Sequence, residues 1–342
     1  MMRRALDLAA RGLYTATPNP RVGCVVSKGQ EILAEGWHEQ AGGPHAEAIA
    51  LEGIAEEKTT LYVSLEPCSH QGRTPPCVDL IQKRKVSRVV AAMLDPNPKA
   101  AHGGGRLSAA GIRFEHGLMA DEARELNIGF VSRVTRGRPS VRMKIAATLD
   151  GRTALANGKS QWITGAEARQ DGHRWRARAC AILTGAGTVR ADDPQLTVRD
   201  VATPRQPLRV IADSHLETPP QARILQGGKI LVFAAKAGSL PNAEVVSMKN
   251  ENNKVDLQGM MQELGRRGIN ELHVEAGFKL NGSLLREGCV DELLVYLNPS
   301  LLGDSAQGMV NLPEIASLDR RIALKIVSLD RIGDDLRIVA RL

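Results

Sequence analysis

The sequence predicts an α/β protein built from two domains. Its 342 residues are more than one ordinary hydrophobic core organises. Short apolar strands alternate with amphipathic helices along the chain, a pattern typical of helices packed on central sheets. The stretch TRGRPS at 135–140 interrupts this alternation with Gly, Pro and two Arg. We therefore expect one domain over residues 1–136 and a second over residues 137–342.

The first half of the sequence predicts five strands and five helices. Because helices separate most of the strands, we expect them to cover both faces of one sheet, giving a three-layer α/β domain. The expected strands are 21–27, 31–38, 59–67, 86–94 and 112–117, and the expected helices are 2–12, 45–55, 77–85, 103–111 and 120–134.

The second half predicts another α/β domain, large enough to fold alone. Residues 141–156 are expected to form two strands joined by Asp150-Gly151, a hairpin turn signal. The polar segment 249–256 is expected to be a surface loop. Further strands are expected at 180–187, 208–214, 229–235, 243–248, 269–277, 290–299, 323–333 and 334–342, and helices at 165–179, 255–268 and 281–288.

Composition and charge narrow the class of protein. The formal net charge is +7 and the pI is about 9.3, which favours anionic partners such as phosphorylated metabolites or nucleic acid. Aromatic residues make up only 3% of the chain, which argues against a base-stacking nucleic-acid surface. Composition alone therefore leaves a phosphorylated metabolite and nucleic acid both open as partners. No run of 18 apolar residues occurs, so no membrane span is expected.

The five cysteines and the N-terminus indicate a cytoplasmic location. A sparse, odd set of cysteines does not form the pattern of a disulfide framework. The N-terminal segment has only a short apolar stretch, interrupted by Asp7 and Arg11, and it predicts an amphipathic helix rather than a signal peptide. We therefore expect a reducing compartment. Cys24, Cys180 and Cys289 lie in apolar or helix-end runs and are interpreted as structural.

Three residues predict a catalytic zinc site. His45, Cys68 and Cys77 supply one imidazole and two thiolates, donors that Zn²⁺ prefers, and three protein ligands leave a fourth position for water. Glu47 stands two residues after His45, at an expected helix start, where its carboxylate can move protons without binding the metal. His-x-Glu followed by Pro-Cys is the pattern of zinc deaminases. We therefore predict one zinc ion per chain and Glu47 as the catalytic acid/base.

The spacing between the two cysteines predicts a specificity loop. Zinc deaminases commonly have Cys-x-x-Cys, whereas eight residues, SHQGRTPP, separate Cys68 from Cys77 here. The inserted residues include His70 and Arg73, which we expect to lie over the zinc pocket. A cation and a hydrogen-bonding imidazole suit a substrate with a phosphate or extra exocyclic groups.

The sequence resembles the bifunctional deaminase/reductase family of riboflavin biosynthesis over nearly its whole length. Four stretches resemble the deaminase half of that family: TPNPRVGCVV, GWHEQAGGPHAEAIAL, LEPCSHQGRTPPC and DPNP. Three further stretches resemble its reductase half: KIAATLDGRTALANGKSQWIT, RADDPQLTVR and VEAGFKLNGSLL. The resemblance implies a cytidine-deaminase-like domain followed by a dihydrofolate-reductase-like domain. It also implies two reactions: loss of the C2 amine of 2,5-diamino-6-(5-phosphoribosylamino)pyrimidin-4(3H)-one, and then reduction of the ribosyl group by NADPH. The product would be 5-amino-6-(5-phosphoribitylamino)uracil.

The resemblance also implies a small phosphorylated pyrimidine substrate with no nucleic-acid partner, a homo-oligomeric assembly, and a set of binding residues. In the deaminase half the substrate residues would be Asn19, His38, His70 and Arg73. In the reductase half the cofactor residues would be Ala146, Trp162, Thr188, Asp192, Ser214, Gly277, Phe278, Lys279, Leu280, Asn281, Gly282 and Ser283. The reductase substrate residues would be Ser160, Arg176, Leu196, Arg199 and Glu275, with the two arginines suited to bidentate phosphate binding.

Apart from the resemblance, the second domain carries a weaker signal than the first. Gly185-x-Gly187-x-x-Arg190 follows an expected strand but lacks the third glycine of a dinucleotide fingerprint. The turn after Gly277 is a stronger candidate for a dinucleotide-binding site, because backbone amides at a helix start near residues 281–283 could hold a pyrophosphate. Lys144 and Glu275 are both candidates to assist protonation during reduction, and the sequence does not choose between them.

Two other classes of protein share some of these features. A nucleic-acid base deaminase with an accessory domain would have the same zinc residues and suit the positive charge, but the long cysteine spacing and the reductase motifs argue against it. A nucleic-acid-binding or regulatory protein with a vestigial deaminase domain is disfavoured because all four zinc-site residues are intact.

Overall fold

The structure is a computed structural model that describes residues 1–72 and 74–342. The chain forms two compact units, Met1–Gly137 and Arg138–Leu342. The expected boundary after residue 136 lies one residue before this division. Within the described residues, no helix is long and apolar enough to cross a membrane.

A five-stranded sheet forms the centre of the first unit. Its order is β2-β1-β3-β4-β5, where β1 pairs antiparallel with β2 and β3, and β3, β4 and β5 run parallel. Its strands are β1 (Gly23–Lys28), β2 (Glu31–Trp37), β3 (Thr60–Val63), β4 (Arg88–Ala91) and β5 (Arg113–His116). Its helices are α1 (Met2–Ala10), α2 (Ala46–Ala50), α3 (Cys77–Lys83), α4 (Gly103–Ala109), α5 (Ala120–Leu126) and α6 (Ile128–Arg136).

The two faces of this sheet carry separate hydrophobic cores. Val26 lies in the core shared with α2, α3 and α4, while the adjacent Val25 lies in the core shared with α1 and α5. Successive side chains of a strand point to opposite faces, so an uninterrupted apolar strand buries both. The three-layer prediction is therefore confirmed for this unit.

All five predicted helices of the first unit differ in their bounds from the observed ones, and two of them differ by more than two residues at one end or are divided. The one expected at 45–55 ends at Ala50, and a turn with a left-handed Gly53 (φ +72°) follows. The one expected at 120–134 is two helices, which meet at Asn127. The buried Asn127 amide accepts the N–H of Arg21 at 2.7 Å and donates to the Arg21 carbonyl at 2.9 Å. This tertiary contact holds the junction.

A nine-stranded sheet forms the centre of the second unit. Its order is β11-β10-β9-β8-β12-β6-β13-β16-β15, parallel from β11 to β13 and antiparallel beyond. Its strands are β6 (Ser140–Thr148), β8 (Ala181–Gly185), β9 (Leu208–Ala212), β10 (Ile230–Ala234), β11 (Glu244–Ser247), β12 (Glu271–Val274), β13 (Glu292–Asn298), β15 (Lys325–Ile332) and β16 (Asp335–Arg341). A small separate sheet pairs β7 (Arg152–Ala154) with β14 (Gln307–Gly308).

Helices cover both faces of this larger sheet. They are α7 (Ala166–Arg178), α8 (Ala186–Asp192), α9 (Leu257–Arg266) and α10 (Phe278–Arg286). Met260 on α9 and Leu284 on α10 are fully buried against one face, and Val189 on α8 is buried against the other. The α/β class expected for this half is confirmed.

The hairpin predicted at Asp150-Gly151 is wrong. β6 pairs with β13 over residues 142–148, along one side of the strand end nearest the turn, and with β12 over residues 140–143 at its other end. β7 pairs instead with β14. The Asp150 carboxylate accepts the N–H groups of Leu302 and Gly303 at 3.1 and 2.8 Å, which ties the turn to a distant segment.

Candidate active sites

Three side chains of the first unit form a candidate metal centre. The ligand atoms of His45, Cys68 and Cys77 all lie within 4.8 Å of one another. Nδ1 of His45 is 3.2 Å from the sulfur of Cys77 and 3.5 Å from that of Cys68. One imidazole nitrogen and two sulfurs facing a common point make the donor set of an open zinc site. The three predicted ligands are thus brought together.

The starts of two helices position this centre. His45 immediately precedes α2, and Cys77 is the first residue of α3. The start of α2 lies so close to β2 that a Cβ on Gly36 would stand 2.4 Å from the carbonyl oxygen of Ala46. Only glycine fits at that position. The N–H of Cys77 donates to the sulfur of Cys68 at 3.3 Å, so the helix start also favours a thiolate there.

A buried carboxylate holds the loop that carries Cys68. Glu66 is 6% exposed, and its two oxygens accept the N–H groups of Asp95 at 3.0 Å and of Gly104 at 2.9 Å. The start of α4 approaches the same loop, because a Cβ on Gly103 would lie 1.9 Å from the carbonyl oxygen of Pro67. Sequence reasoning missed Glu66, whose partners are 29 and 38 residues away.

The pKa values of the two thiols and of the Glu47 carboxyl group at the centre are shifted by their surroundings. Hydrogen bonding from Cys77, and then from His45, lowers the pKa of Cys68 to about 4. The pKa of Cys77 is raised, first by its contact with Cys68. Glu47 is 3% exposed in the first turn of α2, and burial raises the pKa of its carboxyl group. A carboxyl group with a raised pKa next to the ligands suits proton transfer.

Two of the four predicted deaminase substrate residues lie beside the centre. The ring of His38 stands edge-on to that of His45, with centroids 5.7 Å apart. Nδ1 of His38 donates to the Pro44 carbonyl at 2.8 Å, so Nε2 is the nitrogen that accepts from the Asn19 amide at 3.0 Å. Burial lowers the pKa of His38, which keeps the ring neutral. His38 therefore orients Asn19.

The loop between the cysteines contacts the centre through Thr74. The hydroxyl of Thr74 is 3.3 Å from Nε2 of His45, the nitrogen that faces away from the sulfurs. His70 is exposed, and among the described residues no hydrogen bond joins it to the centre. Arg73 lies outside the described residues. Thr74 was missed because a threonine in a loop carries no signal that distinguishes it from its neighbours.

A cavity of about 1710 Å³ forms the candidate site of the second unit. It lies where β8, β9 and β12 end, the carboxyl edge at which parallel sheets bind ligands. All five predicted reductase substrate residues line it, and so do all the predicted cofactor residues except Gly282. The substrate and cofactor residues meet where Ser160 and Asp192 form a hydrogen bond. Burial raises the pKa of Asp192, and this hydrogen bond opposes the rise.

The start of α10 supplies unpaired backbone donors to the cavity. The helix begins at Phe278 with Gly277 as its N-cap, three residues earlier than expected. The amide of Asn281 is bonded to the Gly277 carbonyl at 3.1 Å, so the backbone donors lie at 278–280 and not at 281–283. Gly282 packs elsewhere, since a Cβ there would stand 2.0 Å from the Asn311 oxygen. The expected helix start at residues 281–283 is wrong.

A partly buried ion pair, Arg176 with Glu275, lines the cavity. Arg176 Nε and Nη2 donate to the two oxygens of Glu275 at 2.5 and 2.9 Å. Burial alone would raise the pKa of Glu275, but Arg176 outweighs it and the pKa lies well below the usual range. Burial lowers the pKa of Lys144, which also lines the cavity. The fork of Arg176, which we expected to bind phosphate, thus faces a carboxylate.

Together, the two sites define the class of protein: an enzyme with a zinc-type deaminase domain followed by a reductase domain. Residues 1–93 match the family model described as the cytidine and deoxycytidylate deaminase zinc-binding region. Residues 139–338 match the model described as the RibD C-terminal domain.

Full-length relatives identify the family. The chain is 46% identical to the riboflavin biosynthesis protein RibD of Escherichia coli, over 98% of this chain and 96% of that protein. The Acinetobacter baumannii RibD structure matches with a TM-score of 0.93 at 40% identity, covering 99% of this chain and 97% of that one. A Thermotoga maritima structure, described as a diaminohydroxyphosphoribosylaminopyrimidine deaminase/5-amino-6-(5-phosphoribosylamino)uracil reductase, matches with a TM-score of 0.91 at 33% identity, covering 99% and 97%.

The chain belongs to the RibD family of bifunctional riboflavin-biosynthesis enzymes. The resemblance seen in the sequence, the fold class of both domains, and the prediction of an enzyme with deaminase and reductase activities are confirmed.

Proposed function

We propose that residues 1–136 remove the C2 amine of 2,5-diamino-6-(5-phosphoribosylamino)pyrimidin-4(3H)-one as ammonia, and that residues 137–342 then reduce the ribosyl group with NADPH. The product is 5-amino-6-(5-phosphoribitylamino)uracil. The observation that carries the proposal is the convergence of His45, Cys68 and Cys77 around one point, with Glu47 beside them. The substrate agrees with the description of the Thermotoga maritima relative.

One zinc ion would be held by Nδ1 of His45 and the sulfurs of Cys68 and Cys77. When bound, zinc supplies a water molecule of lowered pKa at neutral pH. Nε2 of His45 donates to the hydroxyl of Thr74, which fixes the ring and leaves Nδ1 free for the metal. We propose a cytoplasmic location, because both thiols must stay reduced to bind zinc and the cytoplasm is a reducing compartment.

Glu47 carries the protons of the deamination. Its carboxylate takes a proton from the attacking water and returns it to the departing C2 nitrogen, so that the carbon gains an oxygen and loses ammonia. Asn19, oriented by neutral His38, offers its amide to the pyrimidine edge. The cysteine loop, with His70 and Arg73, is assigned to the phosphoribosyl arm by resemblance.

NADPH would bind in the cavity with its pyrophosphate at the start of α10. The free N–H groups of Phe278, Lys279 and Leu280 and the positive end of the helix suit that anion. Bound NADPH would supply the hydride that C1′ of the ring-opened imine needs, and the protein must supply a proton to the imine nitrogen. Lys144 is the better proton donor, because Arg176 holds Glu275 ionised.

We also propose that the protein is a homo-oligomer joined through β15. This strand lies at one edge of the large sheet, where it presents unpaired backbone groups. Ile326, Val327 and Leu329 on it are 62%, 47% and 59% exposed. Sedimentation velocity should show an oligomer that Leu329→Asp dissociates. A monomeric wild-type protein would contradict this part of the proposal.

The variant Glu47→Gln tests the deaminase assignment. It should keep one zinc per chain, measured by metal analysis, and should release no ammonia from the diaminopyrimidine substrate. It should still oxidise NADPH when the deaminated substrate is added, because the second site is untouched. Ammonia release at the wild-type rate from this variant would remove Glu47 from the mechanism.

A further inference from the structure

A segment with a fixed main chain borders the reductase cavity. It runs from Leu196 to Arg199, between α8 and β9, and both end residues line the cavity. Leu196 has φ +49°, a conformation that a branched side chain keeps only when its surroundings hold it there. Arg176 contributes to that hold, since its Nη1 donates to the Thr197 carbonyl at 3.0 Å.

Two further side chains hold the same segment by its backbone. The Gln206 amide brackets Val198, accepting its N–H at 2.7 Å and donating to its carbonyl at 3.2 Å. His173 on α7 holds the last residue, because its Nδ1 accepts the N–H of Arg199 at 3.0 Å. The main chain up to Arg199 is therefore arranged before any ligand arrives.

His173 is suited to remain an acceptor at this position. Because Nδ1 accepts a backbone N–H, the ring proton lies on Nε2 and the ring is neutral. Burial, and then the charges of Arg176 and Arg199, lower the pKa of His173 to about 4, although Glu275 and Asp200 oppose this shift. The bond to Arg199 is thus kept at neutral pH.

The two arginines of the cavity differ in what they can offer a ligand. The guanidinium of Arg176 is occupied by Glu275 and by the Thr197 carbonyl. Arg199 is exposed, and the one hydrogen bond that its side chain makes among the described residues goes to the Thr197 hydroxyl, at 3.3 Å. Arg199 is therefore the cation whose placement matters for a phosphate.

We propose that His173 is a positioning residue for the reductase substrate, acting through the main chain of Arg199 so that this guanidinium meets the phosphate of a sugar-phosphate ligand. The inference rests on the proposed assignment of the cavity to the phosphoribosyl substrate. A segment arranged in advance loses less conformational freedom when the ligand binds. Without the acceptor on His173, that ordering must take place at each binding event, which weakens affinity more than turnover.

Three substitutions of His173 distinguish the role of its Nδ1 from that of its Nε2. Asparagine places an acceptor near the position of Nδ1, glutamine reaches the position of Nε2, and alanine removes both. With 5-amino-6-(5-phosphoribosylamino)uracil supplied directly, His173→Ala should raise KM for that substrate about tenfold, or about 1.4 kcal/mol, while kcat and the KM for NADPH stay within about twofold. His173→Asn should restore KM to within about threefold of wild type, and His173→Gln should not.

Two results would overturn the inference: an unchanged KM in His173→Ala, or rescue by glutamine and not by asparagine, which would mean a direct contact through Nε2. His116→Asn, an exposed histidine of the first unit, is the matched control and should leave reductase kinetics unchanged. Arg199→Ala tests the underlying assignment separately. If it raises KM while His173→Ala does not, only the inference fails; if Arg199→Ala has no effect on KM, the assignment of the phosphate site fails.

Discussion

Replacing Glu66 by glutamine should unfold the zinc-binding unit at a markedly lower temperature. Glu66 accepts two backbone N–H groups, from Asp95 and Gly104, and hydrogen bonds to a buried carboxylate contribute about 1.5–3 kcal/mol each. Glutamine keeps one acceptor oxygen, but its NH₂ group faces the second N–H and leaves it unsatisfied. We therefore expect a loss of about 3 kcal/mol.

The expected temperature shift depends on the size of the unit. An unfolding entropy of about 2.1 cal/mol/K per residue gives about 0.29 kcal/mol/K for a unit of 137 residues, so Tm should fall by about 10 °C. Scanning calorimetry of the zinc-loaded, full-length protein measures this shift, and the transition that moves when zinc is added belongs to the first unit. Glu56→Gln, on an exposed glutamate, is the control. If the zinc-sensitive transition has the same Tm in Glu66→Gln as in Glu56→Gln, the reasoning is refuted.

Thr74, Gly103 and His173 each give a further prediction. Thr74→Val removes the partner of His45 Nε2 and should weaken zinc affinity about 10–100-fold in a competition titration against a chromogenic chelator; unchanged affinity would exclude that support. Gly103→Ala should destabilise the protein in urea unfolding, because the new Cβ would meet the Pro67 oxygen at 1.9 Å. Its control is Gly105→Ala in the same helix, whose Cβ meets nothing and which should be neutral or stabilising by up to about 1 kcal/mol. Equal effects of the two substitutions would contradict the close approach. The folded-state pKa of His173, about 4, lies below the unfolded value of about 6.5, so the unfolded chain takes up a proton first as the pH falls. Stability of the second unit should therefore be complete above pH 6.5 and fall towards pH 4 by no more than about 1.4 kcal/mol per pH unit, and His173→Asn should flatten that slope in urea titrations; an unchanged slope would argue against the shift.

The features predicted well from the sequence are those that neighbouring residues determine. Apolar runs identified the strands of both sheets because a buried strand needs consecutive apolar side chains on two faces. His45 and Glu47 were recognisable because His-x-Glu at an expected helix start is the pattern of zinc deaminases. Cys68 and Cys77 were recognisable because a strand end and a helix start flank one loop.

The features missed are those that distant segments determine. Asp150-Gly151 is a hairpin signal, but β7 pairs with β14, a strand about 150 residues further along the chain, rather than with β6. Glu66 and His173 accept backbone N–H groups 26 to 38 residues away, which no local pattern encodes. Arg176 was expected to bind phosphate because its pairing with Glu275 is visible only in three dimensions.

The measurement that tests the central claim most directly follows ammonia and NADPH together in one reaction. It contains the full-length protein, 2,5-diamino-6-(5-phosphoribosylamino)pyrimidin-4(3H)-one and NADPH. We expect one ammonia released for each NADPH oxidised. Stripping zinc with a chelator should stop both, and adding the deaminated pyrimidine should restore NADPH oxidation alone. NADPH oxidation by the zinc-free protein without ammonia release would contradict the order of the two reactions and the division of labour between the two domains.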